Sequence, residues 1–598
     1  MPQLHVRDNS TTAAAAAEHV PLKDRNSFAV RNIPFQDDRA FDSLQQYAGQ
    51  VPMDDDGEAV MFFWLIGNAT NIHNKDKLVL WLNGGPGCTS LDGVFMENGP
   101  YHFDGPNTLR FREHSLSQQF DVLYIDQPFG TGFSTAPTAS YMHSFKDANA
   151  KLLKFLARFF DIFPEYRTRQ LYIAGESEAG VYIPYLADSI LKMPEESRYN
   201  VSGLMIGNGW IDPYPMYMSY VEILRARNML SEPIHKKMLE KMDACTREFA
   251  RAPQPVHTDI CERIPSVFLD EGGPEPDICY NQYDLRLTDT QPSCGMNWPP
   301  EVGMFTDYLN RKDFQRAINV GKAPSTWVEC NNVVNSKLRR DTSPPSSTLL
   351  PAILDRIPVL FFVGKEDYLC NYIGTEWTIG NLTWAGGKGF SDKSQSAEWS
   401  INGKVVGDIV AERGLTYALI HEASHMVGVD KPREILDLFT AFTNGSAANL
   451  QFRSSFRSGS PNDRINLPAP STPATNGSSA TAAKWIALVS ISALLLLFAA
   501  CFWRRKQLFA WWMSRRHYNG GQRLDDALVL SRNFSRSRSQ DFDDAFMMSE
   551  FAIGKVSRSR DSLDLDGMLL DDGTASSPDD DIAGSHSSKN LHRSQDRP

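Results

Sequence analysis

The sequence predicts an α/β fold built on a mostly parallel, buried sheet, and three observations predict it. From about Ser27 to Asn444, short apolar runs alternate with helix-like stretches, the order in which parallel strands and their crossover helices follow one another. One of those stretches, SFKDANAKLLKFLARFFDIF from Ser144, spaces its apolar residues for a single helix face behind a serine cap. With 42% of its 598 residues apolar, the chain can furnish a sizeable core.

The strands read in order as LVLWL at Leu78, DVLYID at Asp121, QLYIA at Gln170, GLMIGNG at Gly203, PVLFFVG at Pro358 and LTYALI at Leu415. VYIPYLADSILK, after the third, has helical apolar spacing. Residues 212–348 break the rhythm and contain Cys245, Cys261, Cys279, Cys294 and Cys330, and are read as an inserted cap subdomain within a domain of residues 27–447. Four of these cysteines can form two local bridges in three connectivities.

A Ser/Pro/Asn/Thr-rich stalk, residues 448–484, leads to WIALVSISALLLLFAACFW, residues 485–503. Nineteen uncharged residues make about 28 Å of helix, near the hydrocarbon thickness of a bilayer. Tryptophans at both ends and Arg504, Arg505 and Lys506 just beyond place the following tail, residues 504–598, in the cytosol and the preceding domain in a lumen. The tail is charged and serine-rich with little hydrophobic periodicity, and is expected to be disordered. Seven of eight cysteines fall on the luminal side, where bridges persist; Asn-x-Ser/Thr acceptors occur there at Asn9, Asn68, Asn200, Asn381, Asn444 and Asn476. Residues 1–26 contain no apolar h-region, so no signal peptide is read there. A net charge of −12 argues against nucleic-acid binding.

The chemistry centres on AGESEAGVYIP, Ala174–Pro184, where a serine stands between two glutamates. Gly175, Ala179 and Gly180 permit a sharp strand-to-helix turn that lifts Ser177 out of the sheet, but a hydroxyl needs a positioned base. In an α/β-hydrolase fold an acid and then a histidine follow the serine. Asp367, after PVLFFVG, and His425, after LTYALI, stand in that order at strand ends.

WLNGGPGCTSLDGVFMENGP from Trp81, IDQPFGTGFS from Ile125, GESEAG, GNGWIDP from Gly207 and EDYLCNYIGTE together resemble the signature blocks of serine carboxypeptidases over residues 27–445. Stalk, membrane helix and acidic tail narrow the resemblance to a membrane-anchored, secretory-pathway branch acting after a dibasic endoprotease. The resemblance implies Ser177 as nucleophile, His425 as general base and Asp367 as its orienting acid. It also implies the N–H groups of Gly85 and Glu178 as the oxyanion hole. Asn83, Gly84 and Glu176 would take the substrate's terminal carboxylate, with Glu97 hydrogen-bonded to Glu176. Two carboxyls so close keep one protonated, which suits an acidic working range. Cys88 and Cys330 match bridged positions, Cys370 a free one.

The expectation is therefore a trans-Golgi serine carboxypeptidase that removes C-terminal Lys and Arg from peptide precursors, without metal or cofactor; a link to cell death is a family-level expectation. Glu178 departs from the family's usual aromatic residue, and its carboxylate is expected to face the penultimate-residue pocket and favour Lys or Arg. Lys365 and Gly428 replace the usual Asp and Pro. Three rivals remain: HEASH, His421–His425, satisfies H-E-x-x-H for zinc if helical; the domain could be an inactive ectodomain used for binding or adhesion; or the same triad could transfer acyl groups to a small molecule.

Overall fold

A computed structural model describes residues 22–36, 39–69, 75–251 and 255–446. The proposed stalk, the 485–503 span and the tail lie outside the described residues. Among the described residues, no helix is long and apolar enough to cross a membrane.

The fold is of the α/β-hydrolase type. Its sheet has ten strands, here β1 Leu44–Pro52, β2 Val60–Asn68, β3 Lys77–Leu82, β4 Asp121–Ile125, β5 Gln170–Glu176, β6 Val201–Gly207, β7 Val359–Gly364, β8 Gln395–Ile401, β9 Lys404–Glu412 and β10 Leu415–Ile420. They lie in the order β1-β2-β4-β3-β5-β6-β7-β10-β9-β8. The inner six, β4 to β10, pair in parallel; antiparallel pairs extend both edges.

Those six parallel strands are the six apolar runs of the sequence. They read as continuous because both faces are covered, yet alternate residues still part to opposite sides. Leu78, Leu80 and Leu82 join Phe155, Leu156 and Ile183 on one face; Val79 and Trp81 join Phe95, Phe305 and Phe439 on the other. The last two strands at one end of the sheet, β9 and the edge strand β8, carry polar residues at half-exposed positions, so no apolar run announces them.

Helix α1, Phe145–Ile162, begins where Asp147 N donates to Ser144 Oγ at 3.1 Å. Its phenylalanines cover one face of the sheet beside α2, Ala179–Leu191. Between β6 and β7 the chain adds no strand to the main sheet; it forms α3 Pro213–Ala226, α4 Glu232–Phe249 and α5 Asp259–Glu271, then shorter elements. Bridges Cys245–Cys261 and Cys279–Cys294 tie this region internally, and Cys88–Cys330 ties it to the loop after β3. Cys370 is free and buried.

Candidate active site

Parallel strands bring their C-terminal ends to one edge of the sheet, and β3, β5, β6, β7 and β10 deliver their next loops there. Ser177 follows β5 with φ +60°, a left-handed conformation that costs a non-glycine residue about 1–3 kcal/mol. Surrounding bonds hold it: Ser177 N donates to Gly207 O at 3.0 Å, and its carbonyl accepts from Gly180 N at 2.9 Å and Trp210 N at 2.8 Å. Ser177 is the half-buried residue in a buried stretch.

Asp367 follows β7 and His425 follows β10, both buried. His425 Nδ1 lies 2.8 Å from Asp367 Oδ2. Asp367 also accepts from Asn208 Nδ2 at 2.7 Å, Leu369 N at 2.8 Å and Cys370 N at 3.1 Å. A carboxylate held by so many donors can fix the orientation of an imidazole. Asn208 came with GNGWIDP but carried no role in the sequence reading; it stands after β6, between the serine and the acid. Lys365 leaves these partners in place, its own N–H donating to Ile420 O at 3.0 Å.

The loop after β3 lies against the serine turn. A Cβ on Gly84 would stand 2.5 Å from Glu178 N and 2.7 Å from Ser177 Cβ, and one on Gly175 would meet Leu82 O at 2.0 Å. Gly85 has φ +116°. The loop is anchored beneath by buried Asp126, which accepts from Thr89 Oγ1, Ser90 N and Phe133 N at 2.6, 3.0 and 2.8 Å. The first and second sequence blocks are thus two halves of one scaffold. Burial pushes Asp126 up to about 6.

Asn83 Nδ2 donates to Glu97 Oε1 at 2.7 Å and Glu176 Oε1 at 3.2 Å, while Asn83 Oδ1 accepts from Trp81 Nε1 at 2.7 Å and Gly93 N at 3.2 Å. Both glutamates are buried. Burial holds Glu176 well above the usual carboxylate range and neighbouring Glu97 adds to the rise, so the pair shares a proton. Gly428 packs here: a Cβ on it would reach Glu97 Cβ at 2.9 Å.

Two expectations change. The Glu178 side chain does not open toward a substrate pocket: it is 3% exposed, and its Oε1 lies 3.0 Å from His257 Nε2. A carboxylate already paired with a buried imidazole is not a free acceptor for a substrate cation. HEASH is not a helix either. His421 and Glu422 form a turn with Glu422 at φ +55°, and helix begins only at Val427. Residues His421 and His425 therefore lack the shared helical face that zinc ligation requires: His421 Nε2 faces Asp408 at 3.0 Å, His425 faces Asp367. Asp367, Cys370 and His425 do present ligand-type atoms within 4.8 Å, but the first and third engage each other.

Sequence reading also missed Tyr283. Its carbonyl accepts from His425 N at 2.9 Å and its ring centroid lies 5.2 Å from the imidazole. Flanking bonds join Leu285 N to Glu366 O at 2.9 Å and Leu369 N to Gln282 O at 3.2 Å. The segment 281–285 thus laces together the loops that carry Asp367 and His425.

The sequence pattern of the serine carboxypeptidase family matches residues 36–445. The chain is 36% identical over 547 residues to the pheromone-processing carboxypeptidase KEX1 of Tuber melanosporum, covering 86% of this chain and 85% of that protein. It is 39% identical over 421 residues to the kex1 enzyme of Aspergillus niger, covering 68% of each. Among solved structures it resembles KEX1(DELTA)P, a prohormone-processing carboxypeptidase from Saccharomyces cerevisiae. That match has 31% identity and a TM-score of 0.67, over 71% of this chain and 97% of that one.

Proposed function

Because this chain belongs to the serine carboxypeptidase family, we propose that it removes C-terminal Lys and Arg residues from peptide precursors through an acyl-enzyme. The observation that carries the exopeptidase reading is the buried Asn83–Glu176–Glu97 cluster beside Ser177. An ordinary hydrolase has no need of a protonated carboxyl pair next to its nucleophile; an enzyme that must hold a free peptide carboxylate does. The proton on Glu176 donates to that carboxylate, Asn83 turns toward it the N–H that here meets Glu176, Glu97 holds Glu176, and Gly84 leaves the space.

With the chain end anchored, Ser177 Oγ attacks the last peptide carbonyl while His425 Nε2 takes its proton, and Asp367 stabilises the resulting imidazolium. The N–H groups of Gly85 and Glu178 receive the oxyanion; one such donor is worth about 3–4 kcal/mol. His425 returns the proton to the leaving amine, and water then hydrolyses the acyl-enzyme with His425 as base.

Preference for basic residues draws support from two sources. Relatives are named for pheromone and prohormone processing, and Glu329 stands near Tyr283, which covers His425: burial raises the Tyr283 phenol and Glu329 adds to the rise. Burial pushes Glu329 up to about 7, and a substrate ammonium or guanidinium beside it would restore its charge. The setting we assign is the trans-Golgi membrane, with residues 485–503 spanning and the catalytic domain luminal; three disulfides in the described domain suit an oxidising compartment.

The test is mass spectrometry of a peptide ending in Lys-Arg, incubated at mildly acidic pH with the full-length chain in detergent. Ser177→Ala and a chelator-treated sample run beside it. Stepwise loss of Arg and Lys, absent in Ser177→Ala and indifferent to chelator, is expected. A folded chain that trims neither this peptide nor an apolar-ended control overturns the reading.

A further inference from the structure

A charged cluster with no part in the mechanism above lies directly behind the serine turn. Glu178, whose N–H faces the proposed oxyanion, directs its carboxylate to His257 Nε2 at 3.0 Å. His257 Nδ1 lies 3.2 Å from Glu262 Oε1, which also accepts from Tyr217 OH at 2.7 Å and pairs with Arg339 at 2.8 Å. Glu178 belongs to the turn before α2, His257 to the loop just before α5, Glu262 to the first turn of α5, Tyr217 to α3, and Arg339 follows the Asn332–Leu338 helix.

Trp210 braces the arrangement. Its backbone N–H donates to Ser177 O, its Nε1 donates to Val256 O at 2.9 Å, and its ring stacks on His257 with centroids 5.5 Å apart and planes 11° apart. The residue before His257 and the carbonyl of Ser177 are thus bolted to one tryptophan, the first through its indole and the second through its backbone. Gly180 makes room, since a Cβ there would stand 2.7 Å from Trp210 N.

Charge explains why such a cluster belongs here. A carboxylate one residue after the nucleophile would oppose the negative charge that develops on the oxyanion. Two carboxylates, an imidazolium and a guanidinium sum to zero; removing the imidazolium charge leaves the cluster at −1.

The geometry points to His257 as a positioning residue for the hydrolysis: by holding and neutralising the Glu178 carboxylate, it fixes the Glu178 N–H as an oxyanion donor and keeps net negative charge away. This inference rests on the serine carboxypeptidase reading above. The neighbours leave His257 as the group that changes charge at alkaline pH. Against the cost of burial, Glu178 and Glu262 push His257 up to about 9. Despite burial, Arg339 and His257 hold Glu262 down to about 2, and Glu262 raises Arg339. Burial raises Tyr217, as it does Tyr182 and Cys370, both of which also feel Glu178.

The test compares His257→Gln with Glu178→Gln/His257→Gln in the full-length chain, on a peptide ending in Arg, with melting curves and Ser177→Ala as control. His257→Gln retains a hydrogen-bonding side chain but strands the Glu178 charge; kcat should fall about 10- to 100-fold with KM within threefold. The double variant removes both charges and should recover at least tenfold over His257→Gln. A kcat for His257→Gln within threefold of the parent, or a double variant no better than the single, overturns the inference. Should His257→Gln not fold, the parent's kcat on a peptide ester decides: it should decline as pH rises through about 9, a limb absent in Glu178→Gln. The same limb in both proteins overturns it. A parent lacking Ser177-dependent turnover overturns the carboxypeptidase reading itself, whereas turnover with unresponsive His257 variants removes only this inference.

Discussion

Gly84→Ala adds one methyl group and should cost most of the activity. That methyl would stand 2.5 Å from Glu178 N and 2.7 Å from Ser177 Cβ, where ordinary contact begins at 3.4 Å; the larger shortfall is 3.4 − 2.5 = 0.9 Å. Neither neighbour can swing aside, because one is backbone and the other is the first side-chain atom of a residue pinned by three backbone bonds. The β3 loop and the serine turn must therefore part by nearly 1 Å, and the two N–H groups proposed to meet on one oxyanion diverge. Displacements of about 1 Å can cost on the order of 10²-fold in rate, and loss of one oxyanion donor costs about 10²–10³-fold, or 3–4 kcal/mol. We expect kcat for release of a C-terminal Arg to drop at least about 10²-fold, measured by quantifying the free amino acid. Gly303→Ala is the control: a Cβ there meets nothing within 4 Å, and kcat should not change. A folded Gly84→Ala protein with kcat within threefold of the parent would refute the steric reasoning.

Three further outcomes are expected. Glu176 is held above its ordinary range, so the proton that would bind the substrate carboxylate is present at acidic pH and lost as pH rises; KM should climb with pH, and Glu176→Gln should flatten the climb, parallel profiles counting against the shared proton. His257, at about 9 against an ordinary 6.5, contributes about 3 kcal/mol of stability. That contribution is full below pH 6.5 and lost as pH rises through about 9, so melting temperature should fall across that window, and less steeply in Glu178→Gln/His257→Gln. Replacing both Cys88 and Cys330 by Ser opens a closure of 242 residues and should cost about 2–5 kcal/mol in denaturant titrations; an unchanged midpoint would show that packing alone holds the β3 loop.

The parallel sheet was legible because strands covered on both faces must be apolar throughout. Leu78 and Val79 face opposite ways, yet both are fully buried, and composition alone reveals that. Strands β8 and β9 lie at an edge, where Glu398 and Lys404 are tolerated, and their pattern is lost among loops. Ser177, Asp367 and His425 could be named because strand ends in a parallel sheet are recognisable in one dimension. His257 could not. It is an isolated histidine between two amphipathic helices, and its partner lies 79 positions earlier; only the path of α4 and α5 over the serine turn joins them. For the same reason the side chain of Glu178 was misread: its direction depends on a cation that local sequence does not announce.

The lacing of residues 281–285 between the Asp367 and His425 loops also limits how this protein can be recombined. Residues between β6 and β7 invite treatment as a removable cassette, to be exchanged for a relative's with a different specificity. Three main-chain bonds from Gln282, Tyr283 and Leu285 make that boundary the wrong one, because a donor cassette with another loop length there would release the histidine. A chimera cut on either side of this five-residue lace, keeping it with the sheet, preserves the placement of Asp367 and His425 while the rest of the insertion is exchanged.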